Sequence, residues 1–323
     1  MAVAASPSHA RTSQPKRIGI LSLGGPQPPL SWEPSFWGAM EEKKWVRGHN
    51  VVVEYGNGDW SVDRLAAAAQ AMVSRVDLIL CNGDYSASVA AARITRTVPI
   101  LFFDAFAPIE QGLIESFARP GRNLTGTSGW SGIEFAVKRL EFVKEIVPAA
   151  KRISWLWGGE SLRLANLKGR EFDVQEMIER AAAALGLVAR VHLVRTPAAV
   201  SNALAEASTV NAQALCAGGW SVWAERQQVA DFAISARMPS LFAVRYYLDV
   251  GGFLSYGPSR EELDNLNKRW VDQVDRVLRG ADPATIPVER PNVYKLAINL
   301  RTAKAIGVTV PRSLLLRTDE LIG

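Results

Sequence analysis

The residues best suited to nucleophilic or metal chemistry are few and widely spaced in this chain. Histidines occur only at positions 9, 49 and 192, and the two cysteines, Cys81 and Cys216, stand about 135 positions apart. Neither set forms a Ser-His-Asp, Cys-His or paired metal-ligand pattern. Both cysteines end apolar runs, so we interpret them as small buried hydrophobic residues.

Motifs that bind phosphates or zinc are also missing from the sequence. The run GILSLGGPQPP lacks G-x-G-x-x-G spacing, and neither G-x-x-x-x-G-K-S/T nor H-E-x-x-H occurs. The sequence therefore predicts no metal, no cofactor and no enzyme activity.

Polar and aromatic loops follow the predicted strands, at the sheet edge where parallel α/β proteins bind ligands. They read LGGPQPPLSW, NGDYSAS and FDAFAP in the first half of the chain, and WGGESL, GGWSVW and VRYYLD in the second. Small residues there let backbone approach a ligand, and larger ones offer hydrogen bonds or stacking. The predicted ligand-binding residues are Gly25, Asp84, Tyr85, Ser86, Phe103, Asp104, Ser128, Trp130, Trp157, Glu160, Trp220, Ser221, Arg245 and Tyr246.

Two of these residues suggest how an acidic ligand would be held. Ser86 and Ser88 open a predicted helix, where hydroxyls and free N–H groups receive a carboxylate or simply cap the helix. Arg245 lies at a strand end beside Tyr246, and offers a bidentate fork to an acid unless it is an ordinary surface arginine.

Aromatic residues are concentrated in the same loops. The chain has ten tryptophans, and Trp130, Trp157 and Trp220 fall in the predicted ligand-binding loops together with Tyr85 and Phe103. This distribution favours an aromatic ligand held by stacking.

The pattern behind these loops alternates short β-branched runs with amphipathic stretches, which predicts right-handed βαβ units and parallel sheets. Ser131 with Glu134, and Ser259 with Glu262, fit the S-x-x-E capping box at helix starts. Two α/β lobes of this kind are compatible with an enzyme or with a ligand clamp. The predicted strands are 17–22, 51–55, 76–81, 100–103, 152–156, 189–193, 214–216 and 240–242, and the predicted helices are 34–46, 62–74, 86–95, 132–147, 171–185, 197–207 and 222–236.

Composition is that of a globular chain. The 323 residues are 48% hydrophobic, long enough for about two domains, and no apolar run approaches the roughly 18 to 20 residues that span a bilayer. The net charge of +5 is spread among acidic residues, so we expect no nucleic-acid partner. Residues 1–15 are predicted to be a disordered tail, or the remnant of a signal peptide whose charged and apolar regions are absent or truncated.

Two separated segments resemble one family. Ile286 to Pro311, reading IPVERPNVYKLAINLRTAKAIGVTVP, is similar to the C-terminal signature of the substrate-binding components of ABC importers of the tryptophan/tyrosine type. Gly112 to Ser128, reading GLIESFARPGRNLTGTS, resembles the run that closes the first lobe in that family. The resemblance extends from about Lys16 to the end of the chain.

This resemblance implies an α/β fold with two Rossmann-like lobes, whose parallel sheets are joined by a three-strand hinge, as in type I periplasmic binding proteins. The predicted N-terminal lobe is 16–126 plus 255–285, the C-terminal lobe 127–254 plus 286–323, and the crossings lie near 125–129, 254–257 and 286–291. A monomer in the periplasm is expected, with a small-molecule ligand and a membrane-embedded ABC permease as partners.

The chain departs from the family in one loop. The resemblance predicts a carboxylate in the second-lobe loop for amino-acid binders, but Gly218 to Ser221 contains no acid. Asp84, Asp104 or Glu160 would then hold an ammonium group. The sequence predicts a solute-binding protein for a small aromatic and acidic ligand; a ligand-sensing module and a two-lobe enzyme remain the alternatives.

Overall fold

Two β-sheets flanked by helices make up this computed structural model, which describes residues 14–24, 32–82, 85–129, 133–159, 163–165, 167 and 171–323. The first sheet has the order β2-β1-β3-β4-β5 and is parallel throughout. The second has the order β14-β13-β12-β11-β10-β6-β9, in which only β12 and β13 pair antiparallel. The strands are β1 (Lys16–Ser22), β2 (Val51–Asn57), β3 (Leu78–Asn82), β4 (Ile100–Phe103), β5 (Leu124–Gly126), β6 (Arg152–Gly158), β7 (Arg163–Ala165), β8 (Glu171–Asp173), β9 (Val188–Val194), β10 (Leu215–Gly219), β11 (Ser240–Phe242), β12 (Leu254–Pro258), β13 (Tyr294–Asn299) and β14 (Glu320–Ile322).

The helices pack on both faces of these sheets, as the alternating sequence pattern predicts. Short 3₁₀ helices span Pro197–Ala199, Arg245–Val250 and Pro283–Thr285. None of the helices among the described residues is long and apolar enough to cross a membrane. The α-helices are α1 (Glu33–Glu42), α2 (Val62–Met72), α3 (Tyr85–Ile94), α4 (Ile133–Ile146), α5 (Val174–Ala183), α6 (Val200–Thr209), α7 (Trp220–Ala224), α8 (Arg226–Ser235), α9 (Arg260–Leu278), α10 (Leu300–Ile306) and α11 (Arg312–Leu315).

Helix α9 returns the chain from the second sheet to the first. Ser259 caps it by accepting a hydrogen bond from the Glu262 backbone N–H at 3.1 Å, as the capping box predicts. Its apolar stripe, including Trp270 and Val274, packs with Ile18 of β1 in one core. We therefore define the first lobe as the first sheet with α1–α3 and α9, and the second lobe as the second sheet with its helices.

Four predicted helices differ from the structure. The helix predicted over 34–46 ends at Glu42, since Lys44 has a left-handed backbone with φ of 71°, and the first turn of the helix predicted over 197–207 is the 3₁₀ helix Pro197–Ala199. The helix predicted from Glu171 begins only at Val174, because residues 171–173 pair as β8 and the Asp173 carboxylate caps the helix by accepting from Glu176 N–H at 3.0 Å. The helix predicted over 222–236 is divided into α7 and α8 at Glu225. The first capping box, at Ser131 and Glu134, lies outside the described side chains.

Three chain segments cross between the lobes. The first and third lie side by side, since Thr127 bridges Glu289 and the Ser128 N–H donates to the Glu289 carbonyl at 2.9 Å. Gln273 of α9 joins both, because its Nε2 donates to the Gly126 carbonyl at 3.0 Å and to the Pro287 carbonyl at 2.8 Å.

The remaining crossing follows β12, which stays paired in the second sheet as far as Pro258. Ile286 and Val288 pack in first-lobe cores. The second crossing thus follows Pro258, and the third follows Val288.

Candidate functional site

The candidate site is the cleft where the carboxyl ends of the two sheets face each other. Phe106 follows β4 in the first lobe, and its ring meets that of Trp157, at the end of β6, edge to face with centroids 4.9 Å apart. Leu167, between β7 and β8, donates its N–H to the Gln111 carbonyl of the first lobe at 2.8 Å. The lobes therefore touch across the cleft, and this is a closed arrangement.

The hinge side of the cleft holds a carboxylate, Asp104. Its backbone is left-handed, with φ of 56°, and its N–H donates to Thr127 Oγ1 at 3.1 Å. Its Oδ1 accepts from the Gly129 N–H at 2.8 Å, an approach that requires glycine because a Cβ at 129 would lie 2.2 Å from that oxygen. The second carboxylate oxygen has no partner among the described residues.

The surroundings of Asp104 disfavour its charged form. Solvent reaches the side chain from the cleft, but protein encloses it on the other sides, and this burial raises the pKa of Asp104 to about 6. The Gly129 N–H opposes that shift by stabilising the carboxylate. The second carboxylate oxygen is accessible to a ligand cation or hydrogen-bond donor, because Asp104 is exposed.

The first-lobe wall is built by α3 and the loop after β4. Strands β3 and β4 are neighbours, with Asn82 in register with Phe103, so the start of α3 lies beside Asp104. Tyr85 begins the helix and Ser86 is buried in its first turn. Tyr85 is half-buried and contacts the cores of both lobes, which places it at the interface between them.

The second-lobe wall is aromatic and contains an open space. Trp157 of β6 is in register with Gly218 of β10, and Trp155 with Cys216. Residues two apart on a strand share a face, so these four lie on one side of the sheet. A Cβ added at Gly218 would meet no atom of the described residues within 4 Å, so the space above this glycine is open as far as those residues define it.

Arg139 of α4 enters the same side of the second sheet. Its guanidinium carbon lies 5.7 Å from the centre of the Trp155 ring. Burial lowers the pKa of Arg139, partly opposed by the Cys216 thiol. Arg139 is partly exposed, and no hydrogen bond or ion pair joins it to the part of the chain that the structure describes. The Nε1 atoms of Trp155 and Trp157 are buried and have no acceptor among the same residues.

The predicted anchor Arg245 is not in such a position. Its guanidinium donates to both Glu320 carboxylate oxygens, at 2.8 and 2.6 Å, and to Asp249 at 2.8 Å. Tyr246 packs against Trp223, and Arg260 lies 4.5 Å above its ring. The positive charge of Arg245, which was predicted to bind an acidic group of the ligand, is paired with Glu320 and Asp249 of the same chain. The structure therefore gives that prediction no support.

Three further predicted residues have internal contacts. The Phe103 ring packs 5.1 Å from that of Trp270 in the first-lobe core. The buried hydroxyls of Ser128 and Ser221 donate to the carbonyls of Ala105, at 2.6 Å, and Val194, at 2.5 Å. These groups shape the cleft, and the two serines use their only donor on backbone.

The match to a known family covers most of this architecture, from residue 35 onward. The family model described as ABC transporter substrate binding protein matches residues 35–322. The chain belongs to this family. The family predicted from the two sequence segments is thereby confirmed.

One curated relative is similar to this chain in sequence, and two solved structures are similar to it in fold. A curated tyrosine-binding protein of Clostridioides difficile strain R20291 is 32% identical over 143 residues, which are 44% of this chain and only 40% of that relative. A conserved domain protein of Vibrio cholerae has a TM-score of 0.77 at 21% identity, covering 95% of this chain and 100% of that one. An ABC domain from Streptococcus pneumoniae in complex with L-Trp has a TM-score of 0.74 at 21% identity, covering 94% and 100%. The fold is that of type I periplasmic binding proteins, as predicted.

For this family member, sequence reasoning missed Arg139. The signal was a charged residue on the apolar stripe of α4, where Phe135, Arg139 and Phe142 are spaced by four and three. Five predicted positions cannot be compared, because they or their side chains lie outside the described residues; these are Gly25, Asp84, Trp130, Glu160 and Trp220.

Proposed function

We propose that this chain is the solute-binding component of an ABC importer and that it captures a small organic ligand between its lobes. The observation that carries the proposal is the pair of inter-lobe contacts, Phe106 with Trp157 and Leu167 with Gln111, around the open space above Gly218. Only a closed molecule brings both walls to a ligand, so binding shifts the equilibrium towards closure.

The ligand class that fits these walls is an aromatic compound with an acidic group. Tyr85, Phe106 and Trp157 supply ring surfaces at the lobe interface, and such faces favour planar partners. Asp104 suits an ammonium group on the same ligand. The tyrosine named for one relative and the L-Trp held by another make aromatic amino acids the first compounds to test.

Capture without turnover is part of the proposal. Residues of the cleft present hydrogen-bond donors, one carboxylate and aromatic rings, a set that holds a ligand without a nucleophile beside a base. Bound compounds should be recovered unchanged after incubation with the purified protein. Conversion of a bound compound, lost on mutation of the cleft, would replace this function by an enzymatic one.

The proposal extends to the partners. A monomer outside the cytoplasmic membrane would present its closed lobes to an ABC permease. Recognition of the closed shape couples delivery to ligand binding, because the unliganded form lacks that shape. The chain covers less than half of its curated relative, so the permease is argued from family membership.

Closure gives a direct test. Small-angle scattering should show a smaller radius of gyration when an aromatic ligand saturates the protein. Hydrogen exchange at the Leu167 amide should slow in parallel, since its N–H bonds to Gln111 only when the lobes meet. A ligand that binds tightly and changes neither measurement would contradict capture by closure.

A further inference from the structure

Two buried indole N–H groups and one partly exposed guanidinium lie on the same side of the second sheet without an acceptor among the described residues. The indoles belong to Trp155 and Trp157, which are 4% and 9% exposed, and the guanidinium belongs to Arg139. A buried donor without an acceptor is destabilising, and a partly buried charge without a counter-charge is destabilising as well. Trp270 in the first lobe also has an unpaired Nε1, but there no cation lies beside it.

The neighbours of Arg139 do not neutralise it. Burial raises the pKa of the Cys216 thiol to about 12, so that thiol stays uncharged at neutral pH. The adjacent acid on α4, Glu141, pairs with Lys138 at 2.7 Å. Within the described ranges no carboxylate reaches the guanidinium, and the missing counter-charge has to come from outside them or from a ligand.

The position of these donors points towards the cleft. Trp155 and Cys216 form one row across the second sheet, and Trp157 and Gly218 form the next row, nearer the first lobe. The open space lies above Gly218 in that second row. Phe106 closes it from the opposite lobe through its contact with Trp157.

We propose that Arg139, helped by the indole N–H groups of Trp155 and Trp157, binds the carboxylate of the ligand from the second lobe. The guanidinium supplies a planar fork that matches a carboxylate, while the aromatic body of the ligand fills the space above Gly218. This inference rests on the proposed solute capture and specifies its chemistry. Asp104, at the hinge, then faces the opposite charge of an amino acid.

The decisive variant is Arg139→Gln, with Arg245→Gln as the matched control in the same lobe. The probes are L-tyrosine, L-tryptophan and 4-hydroxybenzoate, each paired with its amide, which keeps the shape and removes the charge. Calorimetry should show that the wild type prefers the acid of at least one pair. Arg139→Gln should weaken that acid by about tenfold to a hundredfold and abolish the preference, whereas Arg245→Gln should leave both unchanged.

Stability separates a binding role from a structural one. Arg139→Gln removes an unpaired, partly buried cation, so the melting temperature of the unliganded variant should not fall. Gly218→Leu provides a second test, because a Cβ at this position meets no described atom within 4 Å and the leucine side chain would occupy the proposed ligand space, so this variant should exclude all the probes. In protein labelled with 5-fluorotryptophan, the resonances assigned by Trp155→Phe and Trp157→Phe should shift when the acid binds.

Each other outcome has a definite meaning. Equal affinity of Arg139→Gln and wild type for the acids, or amides that bind as tightly as acids, overturns the carboxylate site and leaves solute capture intact. Acids that leave both fluorine resonances unmoved at millimolar concentration overturn it as well. If the wild type neither bound nor closed around any compound in a broad metabolite screen, the proposed function of solute capture would itself be wrong.

Discussion

Two arginines in the second lobe show how differently one residue type is used. Arg245 lies with Asp249 and Glu320 where three N–H···O bonds match its charge within the chain. Arg139 is partly exposed and lies beside Trp155, one row along the strands from the open space over Gly218, and it has no acceptor in the described residues. The charge of Arg245 is therefore balanced without a ligand, whereas the charge of Arg139 is not balanced by the described residues. A binding site is thus distinguished by unmet interactions, since charge and aromatic neighbours occur in both regions.

The largest expected effect tests whether the space over Gly218 is open. Gly219→Ala should cost about 3 kcal/mol or more, because residue 219 has φ of 91° and ψ of 159°, which only glycine adopts readily, and its Cβ would lie 2.0 Å from the Gly158 carbonyl oxygen. Gly218→Ala should change stability by less than about 0.5 kcal/mol, since nothing lies within 4 Å. Urea denaturation of both variants measures the difference. Equal losses would mean that the second-lobe wall is closed at both glycines.

A smaller effect is expected at Arg245. Arg245→Gln should lower the free energy of unfolding by about 1 kcal/mol, because Glu320 and Asp249 are each more than 40% exposed and such pairs contribute little. Hydrogen bonds from Arg245 hold the pKa of Glu320 below its usual 4.5, so the pair stabilises above that pH and the contribution disappears as pH falls below it. Denaturation of the variant and the wild type should show a smaller difference in stability at pH 3 than at pH 7. If this variant bound an acidic probe more weakly than the wild type, Arg245 would belong to the ligand-binding site after all.

The smallest effect concerns Asp104, the unpaired charge of the first lobe. The pKa of Asp104 is raised from 3.8 to about 6, which means that the folded protein favours the protonated carboxyl group. The stability gained from this preference is fully present below pH 3.8 and is lost as the pH rises through about 6. Asp104→Asn keeps the Gly129 contact and the left-handed backbone, and should therefore melt slightly higher than wild type at pH 7 and equally at pH 3.5. Thermal melts at both values test this. A lower melting temperature at pH 7 would show that the carboxylate has a partner after all.

The sequence predicted most of the fold, for physical reasons that particular elements make clear. Strand β4 and strand β11 have the predicted bounds because each is an apolar run bordered by polar or turn residues. Helix α9 was recognisable from its capping box and its apolar stripe. The helix expected from Glu171 was wrong at its start because Asp173 serves as the cap, and pairing of β7 with β8 is a contact that periodicity does not encode.

The site was less predictable because ligand binding depends on which polar groups remain unmatched. In the sequence, Arg245 has no evident acidic partner and could bind a ligand. In the structure its guanidinium donates hydrogen bonds to Glu320, which is 75 positions away. Arg139 looks like an ordinary helical arginine, and only the packing of α4 on β6 and β10 reveals its isolation. Asp104 was identified from its position after β4, because strand ends mark the cleft regardless of long-range pairing.

The two hydrogen bonds from Gln273 determine where the molecule bends. They tie the backbone at Gly126 and Pro287 to α9, while the Asp104 carboxylate holds Gly129 to the same lobe. The first and third crossing strands are therefore extensions of the first lobe as far as these contacts reach. We therefore expect the first and third crossing segments to stay fixed to the first lobe as far as Gly129 and Glu289 when the second lobe moves.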